Sequence, residues 1–451
     1  MRKKLFTLFS IGLLLGGWQL FALTYQQPEW IPTVPRLLAT TGGLFLTASF
    51  YESVAATVVR GITGMAFSLA AAFACAWLLT RRAWIDELFR PVLAFLRSVP
   101  VISFILFALI FLQPESIPLL IAFLTMFPLL TENLTNGIRH LRPGLTVMGR
   151  QFRIGRYNRI AHLIYPQLKP YLYSGLASAA GFGWRAIIMG EVLSQAAVGI
   201  GGEMKKAQNF MAVPDLLAWT MVAVGLSYLF DKGITWLAER MPPIRFSRGN
   251  RVIKEKNPSP IRACEISYLY GIRNFSYTFL PHRIYGISAP SGKGKTTLLN
   301  LLNGTLVPTE GHVEIDRSSG IASVFQEPEL LPHLTVLENI EWALSLFCTE
   351  KEAQRKAMLS LGMVEMEAYA DRLPDALSYG QQQRVAIARA LAFPSAWLFM
   401  DEPFKGLDRE LTLRIIRRMA PWQKQREQTV LFTSHNREEL ELLSNECLSL
   451  G

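Results

Sequence analysis

The sequence predicts an all-α six-helix transmembrane domain joined to an α/β domain built around a phosphate-binding loop. Three observations carry this expectation. Long apolar runs fill the first 240 or so residues, short strand-like runs begin near Ile261, and one such strand leads into Ala289-Pro-Ser-Gly-Lys-Gly-Lys-Thr-Thr. Composition agrees, since 451 residues exceed one compact domain of roughly 150. A 50% hydrophobic share with only 18% charged residues is too apolar for an ordinary soluble enzyme and too charged for a chain that is membrane throughout. Cys75, Cys264, Cys348 and Cys447 form no CxxC pair, which argues against a disulfide framework or zinc knuckle.

The first apolar run, Leu5 to Tyr25 behind Arg-Lys-Lys, matches the ~20 residues that cross a bilayer core. It lacks the short h-region and small-x-small site of a signal peptide, so a retained helix with a cytoplasmic N-terminus is expected. Further spans are expected at Ser53–Leu79, Val92–Leu112, Ile117–Leu130, Tyr171–Leu193 and Leu216–Leu237. Charge orients them. Arg81, Arg82 and Arg90 lie in one loop, and Arg139, Arg142, Arg150, Arg153, Arg156, Arg159 and Lys169 lie in the loop 131–170. Six spans with an interior N-terminus place both on the cytoplasmic side, as the positive-inside rule requires. The net charge of +11 therefore marks a membrane face, and no nucleic-acid partner is expected. A basic linker, 241–260, follows and runs along the inner membrane surface, in contact with lipid.

The phosphate-binding loop fits G-x-x-x-x-G-K-[ST] except that Ala289 replaces its first glycine. Backbone N–H groups from Ala289, Pro290, Ser291, Gly292, Lys293 and Gly294 onward wrap the phosphates where the peptide has an N–H to give. Lys295 neutralises the terminal phosphates, the Thr296 hydroxyl faces magnesium, and Thr297 continues the helix start. Downstream, Ser395-Ala-Trp-Leu-Phe-Met-Asp-Glu-Pro reads as a buried strand ending in two carboxylates. Asp401 stands where a magnesium-coordinating acid sits, and Glu402 is the candidate base for the attacking water.

Between them lies Leu377-Ser-Tyr-Gly-Gln-Gln-Gln-Arg-Val-Ala-Ile-Ala-Arg-Ala-Leu, which resembles the signature of ATP-binding cassette (ABC) ATPases, a P-loop NTPase family. Gln326 in Val-Phe-Gln-Glu-Pro, Asp408 in Gly-Leu-Asp and His435 in Thr-Ser-His stand in the order of three further family motifs. The resemblance implies ATP and Mg2+ as cofactors. It implies that Ser378, Gly380 and Gln381 grip ATP bound to a second subunit, that Gln326 contacts magnesium and senses the membrane half, that His435 holds the terminal phosphate, and that Asp408 couples the two sites. A Ser-x-Gly at a helix start is in any case an anion-binding N-terminus. An aromatic from the first strand would stack on adenine, and Tyr270 or Tyr268 is the candidate.

Two phosphate loops and two signatures are needed to close two ATP sites, so one loop and one signature per chain imply a homodimer. The loop Gly155-Arg-Tyr-Asn-Arg-Ile-Ala-His-Leu-Ile-Tyr-Pro166, followed by Gly183-Trp-Arg and Gly190-Glu191, resembles the coupling region of the nitrate, sulfonate and taurine group of binding-protein-dependent importers. That resemblance implies a permease in 1–240, a coupling loop in 131–170, a cassette in 261–451, and an extracytoplasmic solute-binding protein. The localisation it implies is the bacterial inner membrane, with the ATPase in the cytoplasm and a small-molecule substrate. An amphipathic helix over Arg153–His162 would dock near Gln326; the alternative is a basic helix on anionic lipid. Arg185 and Glu191, six residues apart, are not on one helix face and need other partners. An interhelical contact is expected for Arg185, with an anionic substrate as the alternative. A half-exporter and a membrane-anchored ABC ATPase with a regulatory or extraction role are the rival functions.

Overall fold

The computed structural model describes residues 2–25, 29–240, 244, 246–249, 258–269, 271–290 and 292–450. It divides into two compact units. The first comprises residues 1–141 and 167–242, the second residues 142–166 and 243–451.

The regular elements of the first unit are all helices among the described residues. Helices Ala48–Arg81, Ile117–Arg139 and Val213–Arg240, and the continuous stretch Arg156–Ser194, are long and apolar enough to cross a membrane. Helix Arg2–Tyr25 has comparable length at 24 residues. Their packing is inverted relative to a water-soluble bundle. The buried stripe of Ala48–Arg81 is Phe50, Ser53, Thr57, Gly61, Gly64, Ser68, Ala72, Ala76 and Leu79, nearly all small, while Phe67, Phe73 and Trp77 face outward. Small residues let helix backbones approach where lipid supplies no hydrophobic drive between helices. A Cβ on Gly64 would stand 2.7 Å from that of Ala122 on Ile117–Arg139, and one on Gly61 would stand 2.6 Å from the Trp184 ring.

The expected third span, Val92–Leu112, is not one straight helix. Helices Ala83–Ser98 and Val101–Phe111 meet at 93°. Pro100 causes the break: it has no N–H to continue the ladder, and it drives Val99 to extended angles (φ −71°, ψ 129°). Two short helices, Val34–Leu44 and Ile200–Asn209, are additions that hydropathy alone does not reveal.

Among the described residues the second unit holds eight strands: β1 (Ile261–Tyr268), β2 (Ile272–Phe279), β3 (Ile284–Ser288), β4 (Glu310–Glu314), β5 (Ile321–Val324), β6 (Trp397–Asp401), β7 (Thr429–Thr433) and β8 (Glu446–Ser449). The sheet β2-β1-β4 is antiparallel, and the sheet β5-β6-β7-β3-β8 is parallel throughout. Strands β6 and β7 are buried at every position, the pattern of a parallel sheet covered on both faces. This is an α/β nucleotide-binding architecture, in which ligands collect at the carboxyl ends of the strands. Residues 142–166 belong to this unit's core: Leu145, Met148, Phe152, Ile154 and Leu163 are buried in one cluster with Val324, Leu330, Trp342 and Phe393.

Candidate ATP site and coupling loop

The carboxyl end of β3 opens into the phosphate-binding loop and then into helix Lys295–Leu302. Gly292 and Gly294 have φ of 80° and 84°, left-handed values that favour glycine and turn successive peptides toward one centre. Ala289, the departure from the motif, has no positive φ; it is buried, and its carbonyl accepts from Lys295 Nζ at 2.7 Å. The substitution therefore costs no backbone strain. Thr296 is exposed on the first turn, whereas Tyr270 and Ser291 lie outside the described residues. Tyr268, the other aromatic candidate, packs partly buried against the core beneath the antiparallel sheet.

Strands β6 and β7 bring the remaining groups to the same edge. Asp401 is buried and its Oδ1 accepts the Thr433 hydroxyl at 2.8 Å. That same hydroxyl accepts the Glu402 backbone N–H at 2.9 Å, holding Glu402 at φ 46° just past the strand end. His435 joins them: its Nε2 is 2.8 Å from Glu402 Oε1, and Lys295 Nζ is 2.9 Å from the same ring nitrogen. Lysine, histidine and two acids thus converge from the ends of β3, β6 and β7, the first of which lies more than 100 residues upstream of the other two. Beside them, Glu439 is held above the usual carboxylate range by burial, despite hydrogen bonds from Ser434 and Asn436. Among the described residues no cluster of three His, Cys, Asp or Glu side chains could hold a metal alone. A hydroxyl from Thr296 and a carboxylate from Asp401 instead suit magnesium, which is commonly held by one or two protein oxygens plus phosphates and water.

The signature segment starts helix Tyr379–Ala392 with a full capping box. Ser378 Oγ accepts the Gln381 N–H at 3.4 Å, and Gln381 Oε1 accepts the Ser378 N–H at 2.9 Å. Gly380 is required by contact, since a Cβ there would lie 2.7 Å from the Gly406 carbonyl oxygen. Gln326 is exposed, and its carbonyl accepts the Tyr379 hydroxyl at 2.7 Å, tying it to the signature helix. Asp408 caps helix Arg409–Gln425 by accepting the Leu411 N–H at 2.8 Å.

The segment expected to act as the coupling loop differs from its expected form. A helix over Arg153–His162 does not exist as such: Arg153 has φ 52°, the helix starts at Arg156, and it passes through a π-turn at Ile160–Ile164 into Tyr165–Ser194. The element packed against β5, the strand leading to Gln326, is instead helix Pro143–Gln151. Gly144 permits this approach, since a Cβ there would overlap the Glu329 carboxylate. Burial holds Glu329 above the usual carboxylate range, against the lowering pull of Arg389 and Arg142. Arg389 was not singled out from sequence. It is wholly buried on the signature helix, donates to the carbonyls of Glu329 at 2.8 Å and Pro328 at 3.0 Å, and lies 5.4 Å from the Phe152 ring centre. Burial pushes its guanidinium down to about 10.

In the helical unit, the partner that Glu191 needs is Arg60, 2.7 Å away. Arg185, for which an interhelical contact was expected, is exposed; Glu191 is the acid that makes one.

Comparison with known families places two domains on the chain. Residues 272–405 match the family described as ABC transporter, and residues 64–231 match the binding-protein-dependent transport system inner membrane component. The chain is 36% identical over 185 residues to the glycine betaine/proline betaine transport system ATP-binding protein ProV of Escherichia coli K12, which covers 38% of this chain and 46% of that protein. It is 34% identical over 190 residues to the Fe(3+) ions import ATP-binding protein FbpC of Escherichia coli O157:H7, covering 40% and 55% respectively. The chain thus spans about half the length of these relatives. A solved dimer of the ATP-binding cassette MJ0796 with ADP and phosphate aligns at 29% identity and a TM-score of 0.40, over 42% of this chain and 94% of that one.

Proposed function

We propose that this chain, which unites a binding-protein-dependent permease domain with an ABC transporter ATPase domain, is one half of an ATP-driven importer of a small solute. Two copies work together, each supplying 1–240 as permease, 241–260 as linker and 261–451 as ATPase. The observation that carries the ATPase reading is the meeting of Lys295, Asp401, Glu402 and His435 at the carboxyl edge of one parallel sheet. Relatives named for solute import, joined here to a permease domain in one chain, favour import over the half-exporter and regulator readings.

In this reading Lys295 holds the terminal phosphates, Glu402 takes a proton from the attacking water, and His435 orients that carboxylate through their 2.8 Å contact. Thr296, Asp401 and Gln326 are the residues that would hold Mg2+, which would offset phosphate charge. Ser378, Gly380 and Gln381 of the second copy close each site. An external solute-binding protein delivers solute to a permease in the bacterial inner membrane, with both ATPases in the cytoplasm.

Complementation tests the shared site. Lys295→Ala and Gly380→Asp are each expected to lower ATP turnover by at least about 100-fold, the first by losing phosphate contacts and the second by the Gly406 clash. Co-expressed with different tags and purified as mixed dimers, the two variants rebuild one intact site and regain a substantial fraction of turnover. Mixed dimers as inactive as either parent would mean that each chain hydrolyses ATP alone.

A further inference from the structure

We propose that residues 246–249 form a strap that fastens the coupling segment to the ATPase domain of its own chain, with Asn158 as the positioning residue at its centre. Asn158 is 1% exposed. Its amide pairs with one peptide of the strap in both directions: Nδ2 donates to the Ser247 carbonyl at 2.8 Å, and Oδ1 accepts the Ser247 N–H at 2.7 Å. Nδ2 also donates to Ser345 Oγ at 2.9 Å, at the end of helix Val336–Leu344. The side chain therefore stands in for a strand, satisfying strap and ATPase domain together.

The flanking residues repeat the arrangement. Gly249 N–H donates to the Ser345 carbonyl at 3.0 Å. The Phe246 ring meets His162 of the coupling segment edge-on at 4.8 Å and packs on the main core. Arg248 reaches Glu341 and Glu350 at 3.5 and 3.6 Å. Three successive residues of the strap, Phe246 and Arg248 through their side chains and Ser247 through its backbone, thus hold either the coupling segment or the ATPase domain.

Chain length limits the range of the strap. Only six residues lead from Arg240, the end of the last long helix, to Phe246. In any conformation they reach at most about 20 Å, which bounds how far the strap can stray from the helix that carries it. The strap keeps the coupling segment seated on its own ATPase domain through the nucleotide cycle, where an unlinked pair of subunits relies on the docking surface alone. The proposal rests on the reading of 131–170 as the coupling loop, yet its test needs no solute.

Hydrogen exchange of the full chain in lipid nanodiscs, with and without ATP and Mg2+, reads the strap directly. Asn158→Ala is expected to speed exchange of the amides in 154–164 at least 10-fold, with β3 and β6 unchanged. Ser247→Ala, which keeps the backbone groups that Asn158 reads, should exchange like the parent. Unchanged exchange in Asn158→Ala overturns the strap, and so does a Ser247→Ala effect of the same size. Should Asn158→Ala loosen the whole ATPase domain, Ser247→Pro, which removes the strap's N–H and leaves Asn158 in place, decides: a rise confined to 154–164 supports the strap, and none overturns it.

Discussion

Replacing Glu402 by Gln is expected to lower ATP turnover by at least about 100-fold while ATP binding persists, the scale of effect that loss of a positioned base produces. The reason is local. Glu402 sits one residue beyond β6 with its N–H held by Thr433 and its carboxylate 2.8 Å from His435. The amide of Gln keeps the size and can still meet the imidazole, so the backbone at φ 46° and the neighbouring Asp401 need not move. Basicity alone is lost. The purified variant should retain nucleotide, measured by filter binding or isothermal titration, and release phosphate near background. Parent-like phosphate release would remove Glu402 from the reaction.

Glu191→Ala should destabilise the helical unit by about 3–5 kcal/mol, the usual penalty for breaking a buried ion pair from one side. The Glu191 carboxylate accepts from Arg60 Nη1 at 2.7 Å, Thr57 Oγ1 at 2.9 Å and the Gly201 N–H at 2.9 Å. Arg60 in turn donates to the Val198 carbonyl at 2.8 Å, and Thr57 Oγ1 accepts the Ile200 N–H at 2.9 Å. One carboxylate thus organises a helix of one span, the end of another and the start of Ile200–Asn209. Gly199 at φ 147° and Gly201 make room for it, for a Cβ at either would collide with the Glu191 side chain. Without the acid, the largely buried Arg60 guanidinium keeps the Val198 carbonyl and loses its counter-charge. Thermal unfolding in detergent should show the loss, and adding Arg60→Met should recover part of it, since the double variant carries no stranded charge. A Glu191→Ala variant that melts with the parent would show that the network does not hold this unit together.

These two sites differ in how far the sequence discloses them. The phosphate-binding loop, Asp401-Glu402 and the signature are legible because each is a local backbone requirement: glycine at φ near 80°, an acid ending an apolar strand, a Ser378–Gln381 capping box at a helix start. The meeting of Lys295 with His435 follows once a parallel sheet is assumed. Glu191 is legible as costly but its partner is not, since Arg60 lies 131 residues away and no periodicity links them. The same holds for Asn158 and Ser247, 89 residues apart, and for Arg389, whose carbonyl partners sit in an irregular loop 60 residues upstream. The break at Pro100 was written in the sequence, where hydropathy outweighed proline chemistry. The register of the coupling segment was not, because the left-handed Arg153 and the π-turn after it are set by packing on the ATPase core.

Solute movement across a sealed membrane tests the central claim most directly. The full chain is reconstituted in proteoliposomes with ATP and Mg2+ on the ATPase side. The opposite side receives a candidate solute-binding protein charged with the radiolabelled solute that protein retains. The account predicts accumulation on the ATPase side that needs ATP, needs the binding protein, and disappears with Glu402→Gln. Hydrolysis stimulated by hydrophobic compounds with solute leaving the ATPase side, or hydrolysis with no solute movement at all, would contradict it.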